Sequence, residues 1–168
     1  MVIEIKPLEG IFFDSKAILL GENKNGLEEK LGIPEIIRKS FYYFNRELRF
    51  DFSLEGEIEF IEFLGGKEGS IQPVIYGVPA FQINAKELYD ILAGHACGKI
   101  LDNENGHSYC FCDIGIGIYR ESTPKETHEL IQEMKKLGID PDINVDAKRE
   151  HEDSNHWATI GLGSATYY

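Results

Sequence analysis

The segment Leu48-Arg49-Phe50-Asp51-Phe52 alternates apolar and charged residues with period two, the pattern of a strand with one dry and one wet face. Such a strand needs neighbours beside it and a second layer over its apolar side. Phe41 to Asn45 precedes it, and the Glu55-Gly56 pair turns the chain into Glu57-Ile58-Glu59-Phe60-Ile61-Glu62-Phe63. There Ile58 and Phe60 take one parity, Ile61 and Phe63 the other. A bulge near Phe60-Ile61, or a strand covered on both faces, reconciles the two.

Helix starts and stops are written between the strands. Asn25 to Pro34 reads as a short helix with Leu27 and Leu31 on one face, Gly32 at the stop and Pro34 beyond it. Asn84-Ala85-Lys86-Glu87 opens a helix to about Ala93, with Leu88, Ile91 and Leu92 inward and Gly94 ending it. Thr123-Pro124-Lys125-Glu126 combines a Thr cap, Pro at N1 and Glu at N3. That helix reaches Leu137, with Leu130, Ile131, Met134 and Leu137 as its apolar stripe and Gly138 as terminator.

A second strand group follows the same plan: Tyr109 to Cys112, then Ile114 to Tyr119, then Trp157 to Tyr168. Tyr42-x-Phe44 and Tyr109-x-Phe111 hold comparable places after their helices. The expected fold is α+β, an antiparallel sheet with helices packed on one face, built as two degenerate helix-plus-strands repeats. The chain reads as one globular domain, 1–168, with the repeats divided near 66–80; a sheet without internal duplication is the alternative.

The 168 residues suffice for a real core, and 29 Asp+Glu against 17 Lys+Arg give a formal charge of −12. That charge repels a phosphate backbone, so no nucleic acid is expected as ligand; a basic partner is favoured instead. The N-terminus has an acid at position four and no apolar stretch of signal-peptide length, and no apolar run could span a membrane. Three cysteines, Cys97, Cys110 and Cys112, form an odd set, as reduced thiols of a cytoplasmic protein do.

Catalytic motifs are missing. His95-x-Cys97 and His107-x-x-Cys110-x-Cys112 hold metal-ligand types at poor spacing, and Cys110 and Cys112 share one strand face, so buried apolar thiols are expected and no metal or cofactor. Asp140-x-Asp142-x-Asn144-x-Asp146 imitates a calcium loop, but Val145 stands where glycine is needed and His151 where glutamate is, which leaves a solvated acidic loop. No G-x-S-x-G, H-E-x-x-H or Walker loop occurs, and Gly161-x-Gly163 lacks a βαβ context. Gly115 and Gly117, with Gly161 and Gly163, strip side chains from one sheet face. The Thr123-capped helix is expected to lie flat on that face; a groove for a partner is the other reading.

Acidity is concentrated in two places. Glu55, Glu57, Glu59 and Glu62 crowd the hairpin, pointing outward as a solvent face rather than a catalytic pair. Asp140, Asp142, Asp146, Glu150, Glu152 and Asp153 face only Lys148 and Arg149 in the stretch before Asn155. Both patches suit a basic partner surface, with steered association as the benefit. Tyr76, Trp157, Tyr167 and Tyr168 are the candidate aromatic anchors.

The stretch Leu27-Glu28-Glu29-Lys30-Leu31-Gly32-Ile33-Pro34, then Tyr43-Phe44, Leu48 to Phe52 and Gly56-Glu57-Ile58, resembles one repeat of the β-lactamase-inhibitor-protein-like fold. Small outer-membrane-assembly lipoproteins share that pattern, but this chain lacks their lipobox. Pro73 to Val78, Asp113 to Ile116 and Trp157 to Gly163 are similar to cytosolic proteins of Gram-positive bacteria, some thought to be immunity proteins encoded beside secreted toxins. The resemblance implies a non-enzymatic inhibitor, an immunity protein occluding a basic toxin. An enzyme using His95, Cys97 and His107, and a structural homodimer, are the competing expectations.

Overall fold

Each of four helices begins on a side-chain oxygen that accepts from an otherwise free amide. Asn23 caps α1 (Lys24–Leu31), Asn84 caps α2 (Ala85–His95), Thr123 caps α3 (Pro124–Lys136) and Asn144 caps α4 (Val145–Asp153). The computed structural model describes residues 1–168. Gly32 ends α1 at φ 85, while α2 runs through Gly94 to His95, two residues past its expected end.

Asp140 to Asn144 remain an exposed turn, but α4 corrects the expectation of a solvated acidic loop from Val145 onward. It has no apolar stripe to betray it: Ala147 is its one buried residue, and it is held to α3 by polar contacts. Thr127 Oγ1 lies 2.9 Å from His151 Nδ1 and 3.2 Å from Ser154 Oγ. On α3 itself only Met134 of the expected stripe is buried; Leu130 and Leu137 face solvent.

The strands form two sheets. The smaller has the order β3 (Lys16–Leu19), β2 (Gly10–Phe13), β1 (Val2–Lys6), β8 (Gln72–Ile75), β9 (Val78–Pro79), with β1 and β8 parallel. The larger is antiparallel throughout, with the order β10 (Ile100–Asp102), β11 (Ser108–Phe111), β12 (Ile116–Tyr119), β13 (Thr159–Gly163), β7 (Ile58–Phe63), β6 (Leu48–Phe52), β5 (Ser40–Tyr43), β4 (Glu35–Ile37). Two four-strand meanders thus meet at β7 and β13, where Glu62 faces Gly161. The pairings place Phe41, Phe50 and Ile61 of one half in a row with Leu162, Ile116 and Phe111 of the other, and Tyr43, Leu48 and Phe63 in a row with Ile160, Ile118 and Tyr109. The aromatic pair matching Tyr109-x-Phe111 is therefore Phe41-x-Tyr43. Tyr42-x-Phe44 is one residue out, because Phe44 belongs to the following turn at φ 53.

These residues form the inner face of the large sheet. Over it lie Ile3, Ile5, Ile11 and Ile18 of the small sheet, Leu27 of α1, and Leu88 and Leu92 of α2, in one continuous core. Helices therefore share this face with a second sheet.

The parity slip in β7 has both remedies at once. Asp51 pairs with Phe60 and Phe52 with Ile58, which leaves Glu59 as the bulge, one residue before the expected place. Phe60 then points to the outer face, where Tyr167 stacks on it with ring centroids 4.4 Å apart.

That outer face holds the glycine floor, and α3 does not cover it. A Cβ at Gly117 would lie 2.5 Å from the Tyr168 hydroxyl, and one at Gly161 would lie 2.5 Å from the Phe60 ring. After Gly163 the chain turns back, with Tyr167 N–H donating to Ser164 O, and lays Tyr167 and Tyr168 over the floor. Gly115 is not part of it: Cys112–Ile114 form a 3-10 turn instead of the start of a strand, and Gly115 closes that turn in the left-handed region.

Candidate partner-binding surface

The α3–α4 hairpin interrupts two strands that remain neighbours, since Ala158 N–H donates to Tyr119 O at 2.8 Å just beyond the paired residues. Its root is tied down electrostatically. Glu126 accepts from the Thr123 N–H and Oγ1, and lies 3.0 Å from His107 Nε2. The Thr123 amide first, then His107, hold the Glu126 carboxyl down to about 2, while the Glu126 hydrogen bond raises His107 above its ordinary 6.5. The glutamate contribution is complete above about pH 4.5 and lost as pH falls through about 2. The histidine contribution is complete below about pH 6.5 and lost as pH rises through the raised value. His107→Ala is expected to destabilise most between those limits, read from urea midpoints across pH; a pH-independent loss would show that the pair is not ionic. Thr123→Ala, which removes the cap itself, is expected to cost about 1 kcal/mol at any of these pH values.

Behind α4 lies a cleft of about 420 Å³, walled by the Gly65–Glu68 segment, the Arg120–Ser122 segment, α4, and residues 154–158. Arg120 lies above the Trp157 ring, 4.7 Å from its centroid, and donates from Nε to Gly106 O and from Nη1 to Ser154 O. No carboxylate bonds it, and burial lowers its pKa. His156 Nδ1 lies 3.1 Å from both Phe81 O and Ile83 O, so its N–H donates to these carbonyls. Ser122 Oγ donates to Glu150 at 2.7 Å.

The cleft gathers Asp146, Glu150, Asp153 and Trp157 from the expected partner-binding set, and Glu152 pairs at 3.9 Å with Lys67, another wall residue. Glu68 and Glu121 add two further carboxylates that sequence reasoning did not select, because neither stands in a charge run. Trp157 corrects the expectation of an anchor: it is 2% exposed and its indole N–H donates to Ala85 O at 2.8 Å. Tyr167 and Tyr168 serve the sheet face as described. Asp140 and Asp142 sit at the hairpin tip. There Leu137, Ile143 and Val145 are 74%, 79% and 76% exposed, beside the half-exposed Ile139. The tip therefore carries exposed apolar and acidic side chains together.

The hairpin acids do not join this surface. Glu55 and Glu57 stand exposed at the far end of the six-residue β7, roughly 20 Å from Gly65 at about 3.3 Å per residue. Glu59 is in the bulge. Glu62 is only 17% exposed and faces Arg49 across the strands, with Arg49 Nη1 at 2.9 Å from Glu62 and Nη2 at 2.8 Å from Asp51. Glu62 is thus an internal ion-pair partner, not a docking residue. Burial raises its pKa against the pull of Arg49. Arg49→Met is expected to cost about 3 kcal/mol at neutral pH, because it strands two carboxylates, and less in acid, where Glu62 takes up a proton. An equal loss at both pH values would count against that cause.

Tyr76 is exposed, as a docking aromatic must be, but its ring stacks on His95 at 3.6 Å and its backbone is at φ 49. Cys97 is exposed beside Asp113, which accepts from the Cys97 and Gly98 amides. His107 is engaged with Glu126 and Arg120, so the suggested His95, Cys97 and His107 site is not assembled by these contacts. No group of three His, Cys, Asp or Glu side chains is placed to hold a metal ion, and no helix is long and apolar enough to cross a membrane. No family model, curated protein or solved structure matches the chain.

Proposed function

We propose that the protein is a non-enzymatic binding protein whose docking element is the α3–α4 hairpin, and that its partner is a basic protein. The observation that carries this reading is the hairpin's make-up: exposed Leu137, Ile143 and Val145 lie among Asp140, Asp142 and Asp146. Association is steered by the acids, and the apolar tip supplies desolvated area once contact is made. In its most concrete form the protein is an immunity protein, held in the cytoplasm, that occludes the basic substrate cleft of a toxin. The bonds of His156 and Arg120 to backbone carbonyls support positioning over chemistry for these two residues.

The test is affinity capture from the native host at low and high salt, using the wild type and an Asp140→Asn, Asp142→Asn, Asp146→Asn variant. A basic protein held by the wild type at low salt, and lost with salt or with the variant, is the expected result. Equal capture by both forms would overturn the reading, as would recovery of no basic protein at low salt.

A further inference from the structure

Cys110 is the penultimate residue of β11 and Cys112 opens the 3-10 turn that follows Phe111. The two sulfurs lie 3.4 Å apart as free thiols. Their environments differ. Cys110 is 3% exposed, and burial, then the hydrogen bond to Cys112, push its thiol up to about 12; Cys112 is half-buried and reachable from solvent. Beside them the Tyr168 hydroxyl rests on Gly117, the residue paired with Cys110. A reachable thiol backed by a buried one is the arrangement of an attacking and a resolving cysteine.

We propose that Cys110 and Cys112 are a dithiol modification site that closes to an intramolecular disulfide by exchange with a low-molecular-weight disulfide such as oxidised glutathione. The Cys112 thiolate attacks one sulfur of the reagent, forms a mixed disulfide and releases one thiolate. Cys110, losing its proton to solvent, then attacks Cys112 Sγ and displaces the second. Two thiols are oxidised and one external disulfide is reduced to two thiols, so electrons and protons balance. The bond ties Cys110 of β11 to the turn ahead of Gly115, beside the strand position where the Tyr168 hydroxyl rests on Gly117. It is independent of the docking surface proposed above.

The experiment uses the full chain carrying Cys97→Ser, which removes the exposed thiol; the Asp113 contacts at that position come from backbone amides and remain. The folded protein is treated with oxidised glutathione and its masses are read. The expected product has lost two hydrogens, and the link maps to the peptide containing Cys110 and Cys112. In the same background Cys110→Ser is expected to stop at the glutathione adduct on Cys112, and Cys112→Ser to remain unmodified. Phenylarsine oxide, which bridges paired thiols, is expected to form a one-to-one adduct with the parent, a readout that needs no further substitution. Thiols that react only after denaturation, or a lasting glutathione adduct in the parent with no closure, would overturn the assignment.

Discussion

Trp157→Ala is expected to lower unfolding stability by about 3–5 kcal/mol, measured from urea unfolding. The indole is the largest fully buried side chain, packed edge-on against Tyr109 at 5.9 Å between centroids. Its N–H satisfies Ala85 O, which lies at the first turn of α2, so truncation leaves a cavity and an unpaired carbonyl together. It also removes the ring that carries Arg120, the residue that fastens the 106 turn to Ser154. Trp157→Phe keeps most of the volume and loses the hydrogen bond, so a smaller cost of about 1–2 kcal/mol is expected. A loss under about 1 kcal/mol for the alanine variant would mean the site collapses without penalty, contrary to its packing.

Gly115→Ala is expected to be the second most damaging change, at about 2–4 kcal/mol. The backbone there sits at φ 62 and ψ 32, and an added Cβ would enter the van der Waals envelope of the Gly163 carbonyl oxygen and come within 2.8 Å of Leu8. The Leu8 methyl is the end of an exposed side chain and can swing away, but the Gly163 oxygen is backbone and cannot. Gly163 N–H donates back to Gly115 O at 2.8 Å, so relief would break the end of β13. Gly138→Ala separates the two causes. It has a similar φ of 71 but nothing within 4 Å of the new methyl, so about 1 kcal/mol of conformational cost is all it should show. Equal losses at the two positions would mean that the close approach at Gly115 is not what demands glycine.

The α+β class, three of the four helices and the six inner strands of the large sheet were legible because each signal is local, while its edge strands β4 and β10 were not. A capping residue three before a glutamate, or alternation in Leu48 to Phe52, needs no knowledge of what packs on it. What stayed hidden depends on distant chain. α4 has one buried residue, Ala147, and no run of large apolar residues announces it. The burial of Trp157 depends on a carbonyl 72 residues away, and Glu62 finds its cation on the adjacent strand, not among its sequence neighbours. The parallel pairing of β1 with β8 joins the start of the chain to a strand inside the expected 66–80 division and leaves no mark in either segment. Of the candidate surface, the second acidic run was legible as charge. Its conversion into a helical face rimming exposed Ile143 and Val145 came only from the fold.

The adjacent attachment points of the α3–α4 hairpin carry a consequence for how such a protein diversifies. The chain leaves the large sheet after Tyr119 and returns at Ala158 beside it, so the sheet spans the junction with its own pairing, whatever is inserted. Selection can therefore rewrite the tip from Leu137 to Val145 without touching a strand register or the core. Under the proposed docking role, the tip is the part free to turn over as a cassette while the scaffold stays constant.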